Sequence, residues 1–187
     1  MGTKNGPILI TSFQSWRSHQ SSNSSDDLIA ELKAQGKLSS DVIWIRNVPV
    51  SFELAPIRVL SAIYQWRPRV VLCCGMAEKR ELLSIEQQAN IGGHTLKTSV
   101  DVRKLLQKTR LSEISYDAGT YVCNHLYYHV LESINKYKTT ASVLFIHIPI
   151  LKGKSKRLIL EDFHTLLISL SESPQNPVPE GISAVED

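Results

Sequence analysis

Apolar positions along the chain follow two periods. Short runs at 7–13 (PILITSF), 41–50 (DVIWIRNVPV), 69–77 (RVVLCCGMA) and 142–150 (SVLFIHIPI) are nearly continuous and rich in β-branched residues. Such runs predict strands, the one at 69–77 a buried strand. Between them the spacing becomes helical. In SSDDLIAELKAQG (24–36), Leu28, Ile29 and Leu32 make one face, Ser and Asp offer N-cap oxygens, and Gly36 is placed to end the helix. A second helix is predicted over 53–66, where Ile57, Leu60, Ile63 and Tyr64 recur at helical spacing. Further helices are predicted near 101–109, from Cys123 to about 137, and over 155–171, with a short extended piece at ISY (114–116). The stretch 78–95 has no strong periodicity and reads as a polar connection.

Strands alternating with helices of this length predict an α/β fold: one domain over 1–172, with a twisted, mainly parallel sheet covered by helices on both faces. The remaining residues, 173–187, are rich in Pro, Ser and acid and read as a poorly ordered tail. In open α/β sheets the ligand crevice lies at the carboxyl ends of the strands. That rule brings SFQSW after the first strand, Gly75 to Arg80 after the third, His147 late in the last strand, and the start of the Cys123 helix to one rim.

Composition narrows the class. A chain of 187 residues that is 42% hydrophobic can bury one sizeable core. The net charge of +3 comes from scattered Lys and Arg without basic clusters, so nucleic acid is not an expected partner. The first apolar run is too short for a signal peptide or membrane span, and Gly6 stands where a myristoylation signal wants Ser or Thr. No membrane association is expected. Three cysteines, two of them adjacent, make no disulfide framework and suit the reducing cytoplasm. Cys73 and Cys74 should point to opposite faces of a strand as core thiols.

The candidate chemistry centres on DAGTYVCNH (117–125). Cys123 is either a packed thiol or a nucleophile, and a position in the first turn of a helix favours the thiolate. Cysteine catalysis also needs an imidazole and a group that orients it. His147 sits in an otherwise apolar strand, where a satisfied core histidine is the commoner outcome. Glu86 lies in LLSIEQQAN, where an isolated acid is most often solvated. His125 and His129 are four apart on one helix face, but no third zinc ligand is evident, and no metal or other cofactor is expected.

Taken in order, three segments carry a resemblance. DAGTYVCNHLYYHVL resembles the "AGT-hydrophobic-Cys-Asn" segment of the pyroglutamyl peptidase I (pyrrolidone-carboxylate peptidase) family, LFIHIPIL resembles its histidine strand, and CCGMAEKRELLSIEQQAN is similar to its "GQAGGR…ITPER" segment. The resemblance implies Cys123 as nucleophile, His147 as general base and acid, and Glu86 as the imidazole's orienter. It implies an N-terminally blocked peptide as substrate, whose pyroglutamyl residue is removed through a thioester. Ala118 and Gly119 then allow a tight approach to the helix, so that peptide N–H groups near Cys123 face the oxyanion.

The first loop departs from the family's "TGFEPFGG" and reads TSFQSWRS. Phe13 and Trp16 match its two aromatics, which wall the lactam. Asn23 matches the family's "NPS" asparagine after a shift of one residue, and Met76 joins these as a substrate-contact candidate. Aromatic faces with a few hydrogen bonds suit a neutral ring bearing one N–H and one C=O. After Glu86 the family carries an aspartate-and-arginine-bearing segment, whereas this chain passes from ANIGGHTL to SVDVRKLL. That segment's arginine has no counterpart here. Family members often form homotetramers, so a homo-oligomer is also among the expectations. Two other readings stay open: an impaired relative that binds a peptide or small amide in the same cleft, and an amidohydrolase with a different substrate.

Overall fold

The structure is a computed structural model that describes residues 6–172; the tail expected to be poorly ordered, 173–187, lies outside them. In chain order the elements are β1 (Ile8–Phe13), α1 (Ser24–Ala34), β2 (Val42–Val48), α2 (Leu54–Trp66), β3 (Val70–Met76), β4 (Leu83–Glu86), β5 (Gln88–Ile91), β6 (His94–Lys97), α3 (Val102–Leu106), β7 (Ser112–Ser115), α4 (Val122–Lys136), β8 (Ser142–Ile148) and α5 (Ser155–Glu172). Six strands form one sheet in the order β2-β1-β3-β8-β4-β7, and β5 pairs with β6 as a separate hairpin.

The central strands are parallel, and their alternation sends side chains into two cores. Ile8, Ile10, Leu72, Cys74, Leu144 and Ile146 pack under α1, α3 and α5. Leu9, Phe13, Val71, Cys73, Val143 and Phe145 pack under α2 and α4. Cys73 and Cys74 thus occupy opposite cores and are fully buried. Among the described residues no helix is long and apolar enough to cross a membrane.

The stretch read as a polar connection holds three strands. Only residues 77–82 separate β3 from β4, too few for the crossover that a parallel strand needs. The chain therefore stays at the rim where β3 ends and turns back. β4 runs antiparallel to β8, and β7 joins it in parallel at the sheet edge. The β5–β6 hairpin turns through Gly92 and Gly93, at φ of 56° and 81°. Two positive φ values are what a two-residue type I′ turn requires, and glycine adopts them without a steric cost.

Candidate active site

Three neighbouring strands present one residue each to the face covered by α4. On β3, Gly75 has the parity of Cys73; on β8, His147 has that of Phe145; on β4, Glu86 lies opposite Phe145, two residues beyond Ser84, which lies opposite His147. Gly75 and His147 are register partners. His147 is buried, and Glu86 has no solvent exposure. The solvated loop acid expected from the local pattern is thus an interior strand residue. Its neighbour β8 is buried in turn, and that pairing draws the carboxylate inside. His147 Nδ1 lies 2.7 Å from Glu86 Oε1. With Glu86 ionised, Nδ1 donates the proton and Nε2 is left for the cavity side.

Helix α4 sets Cys123 over this row. Its N-cap residue, Tyr121, is extended and makes no side-chain cap bond, so the first-turn N–H groups keep no cap partner. Upstream, Gly119 adopts φ 77° and its N–H donates to Asp117 Oδ1 at 2.9 Å. That left-handed turn requires glycine and leads the chain into the helix. Cys123 Sγ rests directly above Gly75: a methyl carbon built there would lie 2.7 Å from the sulfur. Cys123 and His147 line one cavity of about 490 Å³. Among the described residues no hydrogen bond joins Sγ to the ring.

Three further bonds lock α4 to the acid strand and its hairpin. Tyr127, fully buried, donates its hydroxyl to the Glu86 carbonyl at 2.9 Å. Asn124 accepts from Asn90 N–H at 2.9 Å and donates to the Asn90 carbonyl at 2.6 Å, which brackets β5.

The electrostatics differ from the expectation for a helix-start thiol. Burial pushes the Cys123 thiol up to about 12, Cys73 and the Glu86 charge add to the rise, and Arg80 opposes it. Loss of solvation is the largest of these causes, and it favours the thiol over the thiolate. For Glu86, burial raises the carboxyl pKa, but the hydrogen bond from His147, the His147 charge, Ser115 and Arg80 together hold it below the ordinary value.

The cavity is walled by the residues expected at the rim. Phe13 is buried at the end of β1, and Trp16, half exposed, stacks on Tyr121 with ring centroids 4.9 Å apart. Met76 lines the cavity, and its sulfur accepts from Ser24 N–H at 3.4 Å. Asn23 also lines it, but its amide is engaged within the fold. Oδ1 accepts from the N–H and hydroxyl of Ser25, capping α1, and Nδ2 donates to the Gln14 carbonyl. His125 and His129 meet edge to face beside Phe52. Among the described residues no group of three or more possible metal ligands gathers.

Two contributors escaped the sequence reading. Gln20 organises the altered first loop: Oε1 accepts from Trp16 and Arg17 N–H, and Nε2 donates to Glu78 at 2.8 Å across the rim. Arg80 donates to Glu86 Oε1 at 2.6 Å. The sequence placed it at the crevice rim after β3 and in the same quoted segment as Glu86, but gave it no role.

Comparison with known proteins places the chain among named relatives. A family model described as pyroglutamyl peptidase matches residues 91–162. The pyrrolidone-carboxylate peptidase of Brevibacillus brevis is 30% identical over 154 residues, 67% of this chain and 72% of that protein. Pyrrolidone-carboxylate peptidase 2 of Caldanaerobacter subterraneus is 31% identical over 170 residues, 77% of this chain and 81% of that protein. Among solved structures, pyroglutamyl peptidase I of Bacillus amyloliquefaciens superposes with a TM-score of 0.75 at 20% identity, covering 90% of this chain and 98% of that one. A mutant pyrrolidone carboxyl peptidase of Pyrococcus furiosus gives 0.76 at 19%, covering 89% and 98%. With the shared α/β architecture and identity sustained over most of its length, the chain belongs to the pyroglutamyl peptidase family.

Proposed function

We propose that this chain is a cysteine peptidase that removes the N-terminal pyroglutamyl residue from peptides, with Cys123, His147 and Glu86 as its triad. The observation that carries the reading is the alignment of Gly75, His147 and Glu86 on one sheet face beneath Cys123, with the imidazole already bonded to the acid. Because the resting sulfur is protonated, the ring must act as a true base. The Cys123 proton passes to His147 Nε2 as the C–S bond forms, and the carbonyl electrons move to oxygen. First-turn N–H groups of α4 receive that charge. Collapse expels the peptide amine, which takes the proton from Nε2. Water then attacks the thioester, giving its proton to Nε2, and the acid leaves as Sγ is reprotonated. Hydrogen-bond distances in such dyads tighten in the substrate complex.

The lactam is assigned to the apolar walls of Phe13, Trp16 and Met76, where aromatic faces suit a neutral ring. Asn23 serves by fixing the first loop against α1.

The test is turnover of a fluorogenic pyroglutamyl amide. Wild type should cleave it, and Cys123→Ala should lose at least about 1,000-fold in kcat. Equal rates in both would remove Cys123 from the mechanism. No turnover in either would favour a binding module or another amide.

A further inference from the structure

We propose that Arg80 is a positioning residue that clamps the triad's acid to the loop feeding the nucleophile; this rests on the peptidase reading above. The guanidinium divides its two arms. Nη1 donates to Glu86 Oε1 at 2.6 Å, and Nη2 donates to the Asp117 carbonyl at 2.8 Å. The first arm settles the acid. Oε1 already accepts from His147 Nδ1, while Oε2 is buried with no hydrogen-bond partner. A carboxylate held on one oxygen by two cationic or polarised donors has one favoured rotamer; without the Arg80 arm only the ring and the weaker approach of Ser115 resist exchange of its oxygens.

The second arm settles the approach to Cys123. Asp117 opens the turn at Gly119, and its carboxylate accepts the Gly119 N–H. Fixing the Asp117 carbonyl therefore fixes the segment that sets the first turn of α4. The two ends would otherwise be linked through the β4–β7 ladder, where Glu86 faces Ser115. Only a planar fork spans both acceptors. A lysine has one ammonium head and can satisfy one of them. Arg80 is partly exposed and lines the cavity, so it is reachable from solvent.

The experiment compares wild type, Arg80→Ala and Arg80→Lys in the full chain. Turnover of the fluorogenic pyroglutamyl amide is measured with and without added guanidinium, alongside the low-field imidazole N–H resonance in proton NMR. Loss of one charge-assisted bond predicts that R80A drops about 10- to 100-fold in kcat. KM should stay within about threefold. R80K should lie between the two, guanidinium should restore R80A, and the low-field resonance should vanish in R80A and return with guanidinium. Wild-type kcat and an unchanged resonance in R80A would overturn the proposal. So would a folded R80A that guanidinium does not restore, with R80K no better. If R80A fails to fold, R80K at the wild-type rate overturns it. A wild type that cleaves nothing defeats the peptidase reading, and the resonance alone then decides the role of Arg80.

Discussion

Gly75 has no room for a methyl group. A Cβ there would stand 2.7 Å from Cys123 Sγ and 2.9 Å from Phe145 Cζ. Phe145 is fully buried and cannot withdraw, so the sulfur must rotate away from its seat. Gly75→Ala is therefore expected to lower kcat by about 100-fold, the cost of a misplaced reacting atom. Overpacking should remove roughly 1–3 kcal/mol of stability. Kinetics and thermal unfolding on the same preparation separate the two effects. A variant with normal turnover would show that the sulfur works from another rotamer. The thiol itself carries a related lesson: the sequence places it at a helix start, but only the packed sheet beneath shows that lost solvation prevails.

At the scale of elements, α4 is the part that assembles the site, because it holds the nucleophile in its first turn and the acid strand one turn later. Tyr127→Phe removes the hydroxyl that donates to the Glu86 carbonyl, while Glu86 keeps its place opposite Phe145 in the β4–β8 ladder. A loss of about 0.5–1.5 kcal/mol is expected by denaturant unfolding, with a several-fold fall in kcat. Unchanged stability would mean that the carbonyl finds another donor. The helices and the strands β1, β2, β3 and β8 were legible as elements, but α2 buries Ala55, Val59, Ala62 and Ile63 and leaves Ile57 and Tyr64 of the expected face exposed. β4 was not legible, since LSIE is short and its acid contradicts the buried pattern. The hairpin had a readable signal in Gly92-Gly93 between two four-residue extended pieces, but the polar residues around it masked the alternation. The contact of Arg80 with Glu86 was illegible for a different reason. A side chain six residues before an acid meets it only because the 77–82 link reverses the chain, and local patterning does not encode that reversal.

Over the whole molecule, ionisable groups shifted from their ordinary values set the pH dependence of stability. Glu86 is held below its ordinary 4.5, so the unfolded chain binds its proton first; that contribution is present above about 4.5 and is lost as pH falls through the folded value. Asp41, bonded by Ser39 against a smaller burial cost and paired with Arg69, has the same sign. The alkaline side runs the other way. Burial pushes Cys73 and Cys123 up to about 12, and it raises Cys74 and Tyr127 as well. These groups stabilise the fold fully below their unfolded values, near 9 for a thiol, and the contribution drains away as pH climbs toward the folded ones. Each can remove up to about 1.4 kcal/mol per pH unit in that range. Thermal unfolding should therefore show a maximum with a fall on either side, the alkaline limb beginning near about pH 8.5. Cys123→Ala should make that limb shallower while leaving the acid limb in place, and Glu86→Gln should do the reverse. An alkaline limb that is the same in Cys123→Ala as in wild type would mean that the thiol ionises in the folded state near its free value. Even then a free value near 9 leaves the sulfur protonated at neutral pH, so the first proton transfer to His147 still accompanies attack on the substrate.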